Sequence, residues 1–290
     1  MSTFFASSKY AGTTVEVDFG DKECPKKFAL GYWSIRGLGA PLRMMLCAAK
    51  VPFTIFLYDC VEKDGGGWSS DYFAWKEACI EENGQPLWNL PYCVDRENKR
   101  VICQTNAIFA HLGRACGMFG TNDIETSECE QLLCELYDLR DAMTDFCYGG
   151  NSDVTVPLNT AKKILKKLES WLGLQAKKQI GSSSKVVHLV GASYTAPDFH
   201  LYELLDQFEA LASSTNEDIY SSFPRLKEFK EGFSTLEENQ FYLASWLNTE
   251  LPFNNCMSRF ASLPGPKTYV YGESAKLATW RGKGIVELSP

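Results

Sequence analysis

Paired cysteines are what this chain most plainly lacks. Eleven cysteines stand at 24, 47, 60, 79, 93, 103, 116, 129, 134, 147 and 256, an odd number with no Cys-x-x-Cys among them. A disulfide scaffold is small and Cys-dense, and a zinc site wants paired ligands at short spacing, so the scatter fits neither. Reduced, mostly buried thiols in a cytoplasmic protein are the expectation. Histidine is scarce too: His111, His188 and His200 share no helical turn and none lies by a Cys pair, so no metal site is expected. Gly-x-Ser-x-Gly, a Gly-Lys-Ser/Thr phosphate loop and Gly-x-Gly-x-x-Gly are absent, which removes the usual nucleophile elbow and nucleotide loops. Gly37-Leu-Gly39 is too short to count as one. No run of 18 apolar residues occurs, and the first residues have no basic stretch followed by an apolar core, so neither a membrane span nor secretion is expected. Lys+Arg 29 against Asp+Glu 36 gives a net charge of −7, which opposes the counterion-release term behind nucleic-acid binding.

What is present is the makeup of an ordinary globular protein, 45% hydrophobic and 22% charged, long enough at 290 residues for two domains. Residues 1–27, polar and with little periodicity, read as an N-terminal extension, a tail or loosely docked arm. Phe28 to Trp33 reads as a strand, Ala40 to Lys50 as a helix and Val51 to Tyr58 as a second strand, which together make a βαβ unit. Cys60 to Ser70, with Gly65-Gly-Gly67, reads as a long loop, and Tyr72 to Glu81 as a short helix. Tyr92 to Asp95 and Val101 to Cys103, around the polar turn Arg96 to Lys99, read as a hairpin. The Leu90-Pro91 bond before it is a place where a cis peptide can turn the chain. A helix follows over Ala107 to Ala115, with Thr105 as its N-cap.

Beyond a linker at 116–122 the period changes. Leu132, Leu136, Leu139, Met143 and Phe146 recur at helical spacing, as do Ile164, Leu168, Trp171 and Leu172 opposite a lysine-rich face. Thr195-Ala-Pro-Asp198 has the form of a capping box before another apolar stripe. Helices are also expected near Phe223 to Gly232 and Leu236 to Leu247. The division is therefore an α/β part over 28–115 and an all-helical part over 123–260, with 261–290 a non-helical C-terminal extension.

The chemistry-bearing residues collect at the ends of the first-domain elements: Tyr32, Trp33, Trp75, Asn89 to Pro91, and Gln104-Thr105. Ligands of open α/β sheets gather outside strand ends, and a helix N-terminus favours a carboxylate. Each residue alone also has a plainer explanation. Tyr and Trp at strand ends commonly serve as core aromatics with one wet end, and Gln-Thr before a helix as a cap.

Taken together, Leu30-Gly-Tyr-Trp-Ser-Ile-Arg-Gly-Leu-Gly-Ala-Pro-Leu-Arg43, Asn89-Leu-Pro-Tyr92 and Gln104-Thr-Asn-Ala-Ile108 resemble successive motifs of cytosolic glutathione transferases, closest to the mu class with some sigma-like features. Phe199-His-Leu-Tyr-Glu-Leu-Leu-Asp-Gln-Phe and Phe223-Pro-Arg-Leu extend the resemblance into the helical half. The resemblance implies a thioredoxin-like N-terminal domain that binds glutathione as co-substrate and a helical-bundle domain, with a small hydrophobic electrophile enclosed by both, in a homodimer of detoxifying type. It implies Tyr32 as the catalytic residue that stabilises the thiolate. By the same resemblance Trp33 and Trp75 hold the glycyl and cysteinyl part, with Asn89 beside them. Leu90, before cis Pro91, pairs its backbone with the cysteinyl unit, and Gln104 and Thr105 take the γ-glutamyl carboxylate. Asp138 falls where an acid reaches across the dimer to the γ-glutamyl amine, with a solvated helix charge as the plainer alternative. Tyr148 falls where a second tyrosine covers the electrophile. The mu class has basic residues on either side of the Trp75 position, but this chain has Tyr72 and Cys79 there, leaving Lys76 as the replacement cation. Those departures, and the two long extensions, motivate a second reading: a weak or inactive protein of the same fold, docked by its tails into a larger protein assembly.

Overall fold

The computed structural model describes residues 15–19, 24–58, 60–62, 67–70, 72–180, 186–255, 257–260 and 284–288. The chain forms two compact units, Met1–Ile108 with Ala244–Pro290, and Phe109–Leu243. The division thus falls inside the helix expected at 107–115, and the last 47 residues group with the first unit.

The first unit is built on a mixed sheet. Its strands are β1 (Val15–Phe19), β2 (Phe28–Trp33), β3 (Phe53–Tyr58), the two-residue β4 (Val61–Glu62) and β5 (Trp68–Ser69), β6 (Tyr92–Asp95), β7 (Arg100–Cys103) and β8 (Gly284–Leu288). The main sheet runs β7-β6-β2-β3-β1-β8, and β4 pairs only with β5. β2 and β3 are parallel and joined through α1 (Gly39–Ala48), whereas β6 runs antiparallel to β2 and to β7. This is the βαβ unit plus hairpin read from the sequence. α2 (Tyr72–Asn83) and α3 (Thr105–Ala115) complete the α/β pattern. The segment read as a loop over 60–70 contains the small β4–β5 hairpin, whose two-residue strands are too short to show a period.

The extensions depart most from expectation. Val15–Phe19 pairs antiparallel with β3, and Gly284–Leu288 pairs parallel with β1. Within a polar tail, Val15, Val17 and Phe19 alternate with Glu16 and Asp18, a half-buried strand pattern only five residues long. Phe19 is buried and its ring lies 5.3 Å from that of Phe53. Pairing removes an open edge from β3, every residue of which is buried. The part of the C-terminal extension at 261–283 lies outside the described residues.

The second unit rests on α4 (Asp123–Tyr148), α5 (Thr155–Lys178), α6 (Ala196–Ser213), α7 (Pro224–Ser234) and α8 (Glu237–Ala244). Leu132, Leu136, Leu139, Met143 and Phe146 of α4 are all buried, as are Ile164, Leu168 and Leu172 of α5, so the helical period translated directly into a core. Trp171 is half-buried and its indole N–H donates to the Leu189 carbonyl at 2.8 Å. On the lysine face, Lys162 pairs with Glu217 and Lys167 with Glu135, both at 2.5 Å. Asp198 is fully buried and accepts from the amides of Leu189 (2.8 Å) and Thr195 (2.7 Å) and from the Thr195 hydroxyl (2.9 Å), which realises the capping box. The single helix expected over Leu236 to Leu247 is two, α8 and the one-turn α9 (Trp246–Thr249). Ser245 between them is in extended backbone (φ −73°, ψ 156°) as the N-cap of the second.

Candidate active site

Strand register gathers most of the sequence-nominated residues at one end of the first unit's sheet. Trp33 lies opposite Tyr58, Gly31 opposite Tyr92, and Tyr92 opposite Cys103. The end of β2 (Tyr32, Trp33), the entry to β6 (Asn89, Leu90, Pro91) and the exit of β7 into α3 (Gln104, Thr105) therefore share one rim. The Leu90–Pro91 peptide is cis, as the sequence allowed. Thr105 is the first residue of α3 rather than its N-cap. Gln104, exposed and at φ +71°, makes the turn before it, in a region that a side chain seldom occupies.

Tyr32 is buried to 6% exposure, and no hydrogen bond ties its hydroxyl to another described residue. Its ring runs along the backbone that leads into α1. A Cβ on Gly37 would lie 2.9 Å from the Tyr32 hydroxyl oxygen, and one on Gly39 would lie 2.7 Å from the ring. Only glycine fits at either point, and Gly37 also sits at φ +40°. Gly37-Leu-Gly39, too short for a nucleotide loop, is thus the cradle of the tyrosine. The loop is pinned by residues that sequence reasoning passed over. The Arg36 and Gly37 amides donate to the carbonyls of Pro252 and Phe253 at 2.7 and 3.0 Å, and the Arg36 guanidinium lies 4.6 Å from the centroid of the Phe253 ring. Fully buried Arg43 donates to the Ile35 carbonyl at 3.0 Å. Arg36 and Arg43 were visible in the motif. The partners of Arg36, more than 200 residues on, were not.

The two tryptophans that the resemblance makes ligand donors also pack as core aromatics. Trp75 stacks on Tyr58 (centroids 5.6 Å apart, 30° between planes), meets Trp88 edge-on at 5.4 Å and lies 5.8 Å from Tyr92. Trp33 packs edge-on against Tyr72 at 5.3 Å and near exposed Phe73 at 5.9 Å. Both indoles are half-buried, so they combine the core role with one accessible flank. Beneath them the hydroxyls of Tyr58 and Tyr92 share a buried 2.6 Å hydrogen bond, and Gly31 leaves room for Tyr92, whose ring a Cβ would meet at 2.1 Å. Tyr72 and Cys79, at the two positions where cations were expected, are 1% and 4% exposed in this same cluster and so complete the core. Burial pushes the Tyr72 phenol up, with Cys103 and Cys79 adding to the shift.

Lys76 and Asn89 come together, the lysine Nζ donating to Asn89 Oδ1 at 3.3 Å. The Asn89 amide donates to Cys103 Sγ at 3.4 Å. Burial raises the Cys103 thiol, while that amide and nearby Lys76 act the other way. Asp138 and Tyr148 belong to the second unit. Asp138 is exposed on α4 and lines a cavity of about 320 Å³ with Asp141, Asp145 and Asp153. Burial, then Asp145 and Asp138, raises the Asp141 carboxyl. Tyr148 ends α4, 36% exposed. Among the described residues no three His, Cys, Asp or Glu side chains are placed to hold a metal ion, and no helix is long and apolar enough to cross a membrane.

Comparison with known proteins points to glutathione S-transferases. The family described as "Glutathione S-transferase, C-terminal domain" matches residues 137–246. Glutathione S-transferase Mu 5 of Rattus norvegicus is 28% identical over 241 residues, 82% of this chain and 97% of the relative. Glutathione S-transferase Mu 3 of Homo sapiens is 28% identical over 243 residues, 83% and 98% of the two chains. In fold, a pi-class glutathione S-transferase of Onchocerca volvulus superposes with a TM-score of 0.62 at 23% identity, covering 80% of this chain and 99% of that one. Its likeness establishes the fold of a thioredoxin-like part followed by a helical one. Family match, relatives and fold agree in likening this chain to glutathione S-transferases, whose fold it shares.

Proposed function

We propose that this protein conjugates glutathione to small hydrophobic electrophiles, with Tyr32 as the group that stabilises the thiolate. One observation carries the reading. The Tyr32 hydroxyl, held by Gly37 and Gly39 and engaged by no other described residue, lies at the same sheet end as the cis Leu90–Pro91 bond and the first turn of α3. Leu90 pairs its backbone with the cysteinyl unit as an added strand would, and so presents the sulfur to the phenol. Gln104, Thr105 and the N-terminal turn of α3 take the γ-glutamyl carboxylate. Lys76, beside Asn89, supplies the positive charge for the glycyl carboxylate that Tyr72 and Cys79 cannot. Trp33 and Trp75 close the site with their accessible flanks. Asp138 and Tyr148 keep the proposed roles of amine partner and electrophile cover, in a cytoplasmic homodimer.

A free thiol titrates near 8.5 and is mostly protonated at neutral pH. A hydrogen bond to a charged group contributes about 1.5–3 kcal/mol, and about 1.4 kcal/mol corresponds to one pKa unit, so one phenol lowers the thiol by about one to two units. The thiol proton passes to solvent. The sulfur lone pair then forms the C–S bond as the leaving group departs with its electron pair. Turnover of a chromogenic aryl halide tests the proposal: Tyr32→Phe should lower kcat/KM about 100-fold, matching a loss of about 2.7 kcal/mol of transition-state stabilisation. If neither wild type nor variant shows glutathione-dependent turnover while the fold is intact, the proposal is lost.

The second reading, a docking subunit, draws support from the two buried positions where cations were expected. The described parts of both extensions oppose it, because they pair within the chain's own sheet. Retention on immobilised glutathione separates the two readings.

A further inference from the structure

A cavity of about 710 Å³ in the helical unit opens where the start of α4, the end of α5 and the segment before α6 meet. We propose that it is a second ligand site, taking a small organic cation that carries an apolar side and a hydrogen-bond acceptor. Its size falls within the range of small-molecule sites.

The floor contains Gln175, 1% exposed, whose side-chain amide nitrogen is buried with no hydrogen-bond partner among the described residues. A buried donor left without an acceptor costs free energy, so this position favours a ligand oxygen. The walls fix the sign of charge. Lys178 is tied to Glu128 at 2.9 Å. Glu125 is held by the amide and hydroxyl of Thr121, both 2.7 Å from one carboxylate oxygen. Those bonds, with Asn122 and Lys178 adding to them, keep the carboxyl ionised below the usual carboxylate range. With one cation against two anions the cavity is left negative. Gly191, at φ +64°, keeps the approach to Glu125 open, since a Cβ there would lie 3.3 Å from the carboxylate. Ile124 and Ile180 also line the cavity and are 74% and 83% exposed, an unusual pair of bare aliphatic side chains for one rim. An ammonium against Glu125, a carbonyl against Gln175 and an alkyl group against the two isoleucines satisfy every wall. The site is independent of the glutathione reading.

Leucinamide, which has those three groups, is the probe, and N-acetylleucine, with the same side chain but an anion in place of the cation, is its control. On the full chain, leucinamide should shift the Ile124 and Ile180 methyl resonances saturably, with N-acetylleucine at least tenfold weaker. Glu125→Gln should weaken leucinamide at least fivefold and Gln175→Leu about tenfold, with retention on immobilised glutathione unchanged in both. If Gln175→Leu does not fold, Glu125→Gln decides alone. The proposal is overturned by the absence of saturation, by equal response to the anion, or by an unaltered affinity in the folded variants.

Discussion

The two units solve burial with different materials. The sheet-bearing unit packs rings on rings at its functional end: Trp33, Tyr58, Tyr72, Trp75, Trp88 and Tyr92 form one cluster. The helical unit packs aliphatic stripes beside a smaller ring cluster at Phe199, Tyr202, Phe229 and Phe233, and it buries polar side chains such as Asp198 and His200. A ring has an apolar face and a polar tip, so one side chain can be core and ligand contact together. In an aliphatic helix core, position on the helix decides, and polar groups inside must be satisfied or neutral. Mutations in the first unit should therefore reach activity through shape, and those in the second should reach stability through polarity.

The sharpest way to break this contrast is Asp198→Ala. Three donors lose a buried acceptor, and the urea midpoint should fall by the equivalent of about 4 kcal/mol. A loss below about 1 kcal/mol would mean that the polar point is not what holds α6. Next comes Gly37→Ala, whose Cβ meets the Tyr32 hydroxyl at 2.9 Å. Displacing the tyrosine by even an ångström should cost about 100-fold in kcat/KM, with a smaller change in melting temperature. Equal activity in a folded variant would show that the cradle does not position the ring. His200 probes the helical unit by pH. It is 1% exposed, its ring stacks 5.0 Å from Phe109, and burial, with Arg140 adding, lowers its pKa to about 3. A depressed folded pKa means the neutral form is favoured on folding. Its contribution is complete above the unfolded value near 6.5 and drains away as pH falls towards 3, at about 1.4 kcal/mol per pH unit. His200→Gln should flatten the stability profile between pH 6 and 4 by about one proton relative to wild type, and identical slopes would contradict it. The smallest effect belongs to Tyr58→Phe, which removes the 2.6 Å bond to Tyr92 but leaves the ring stack. About 1 kcal/mol is expected in denaturation, with glutathione retention unchanged.

Legibility in the sequence followed the same contrast. The five apolar positions of α4 from Leu132 to Phe146 were readable because a period over four turns is hard to produce by chance. Thr195 and Asp198 were readable because the capping box is local. The rim of the proposed active site was readable as a set of turns and strand ends, though not the packing that shapes it. Trp75 illustrates why: its packing against Tyr58 and Trp88 is a three-dimensional fact with no linear period. Gly37 and Gly39 were visible as residues and invisible as spacers, since the ring they accommodate is fixed only when α1 docks. β1 and β8 went unseen because five residues of alternation in a polar tail carry little signal until a buried neighbour such as β3 supplies the edge.

The pairing of β1 with β8 has a consequence for how the protein is made. The two strands come from opposite ends of the chain and lie side by side in register from Val15↔Gly284 to Phe19↔Leu288. During synthesis β1 can join β3 early, yet its outer side has no partner until Gly284–Leu288 is made, 265 residues after Phe19. Over that interval β1 presents an unpaired strand edge, the feature that most readily recruits another chain.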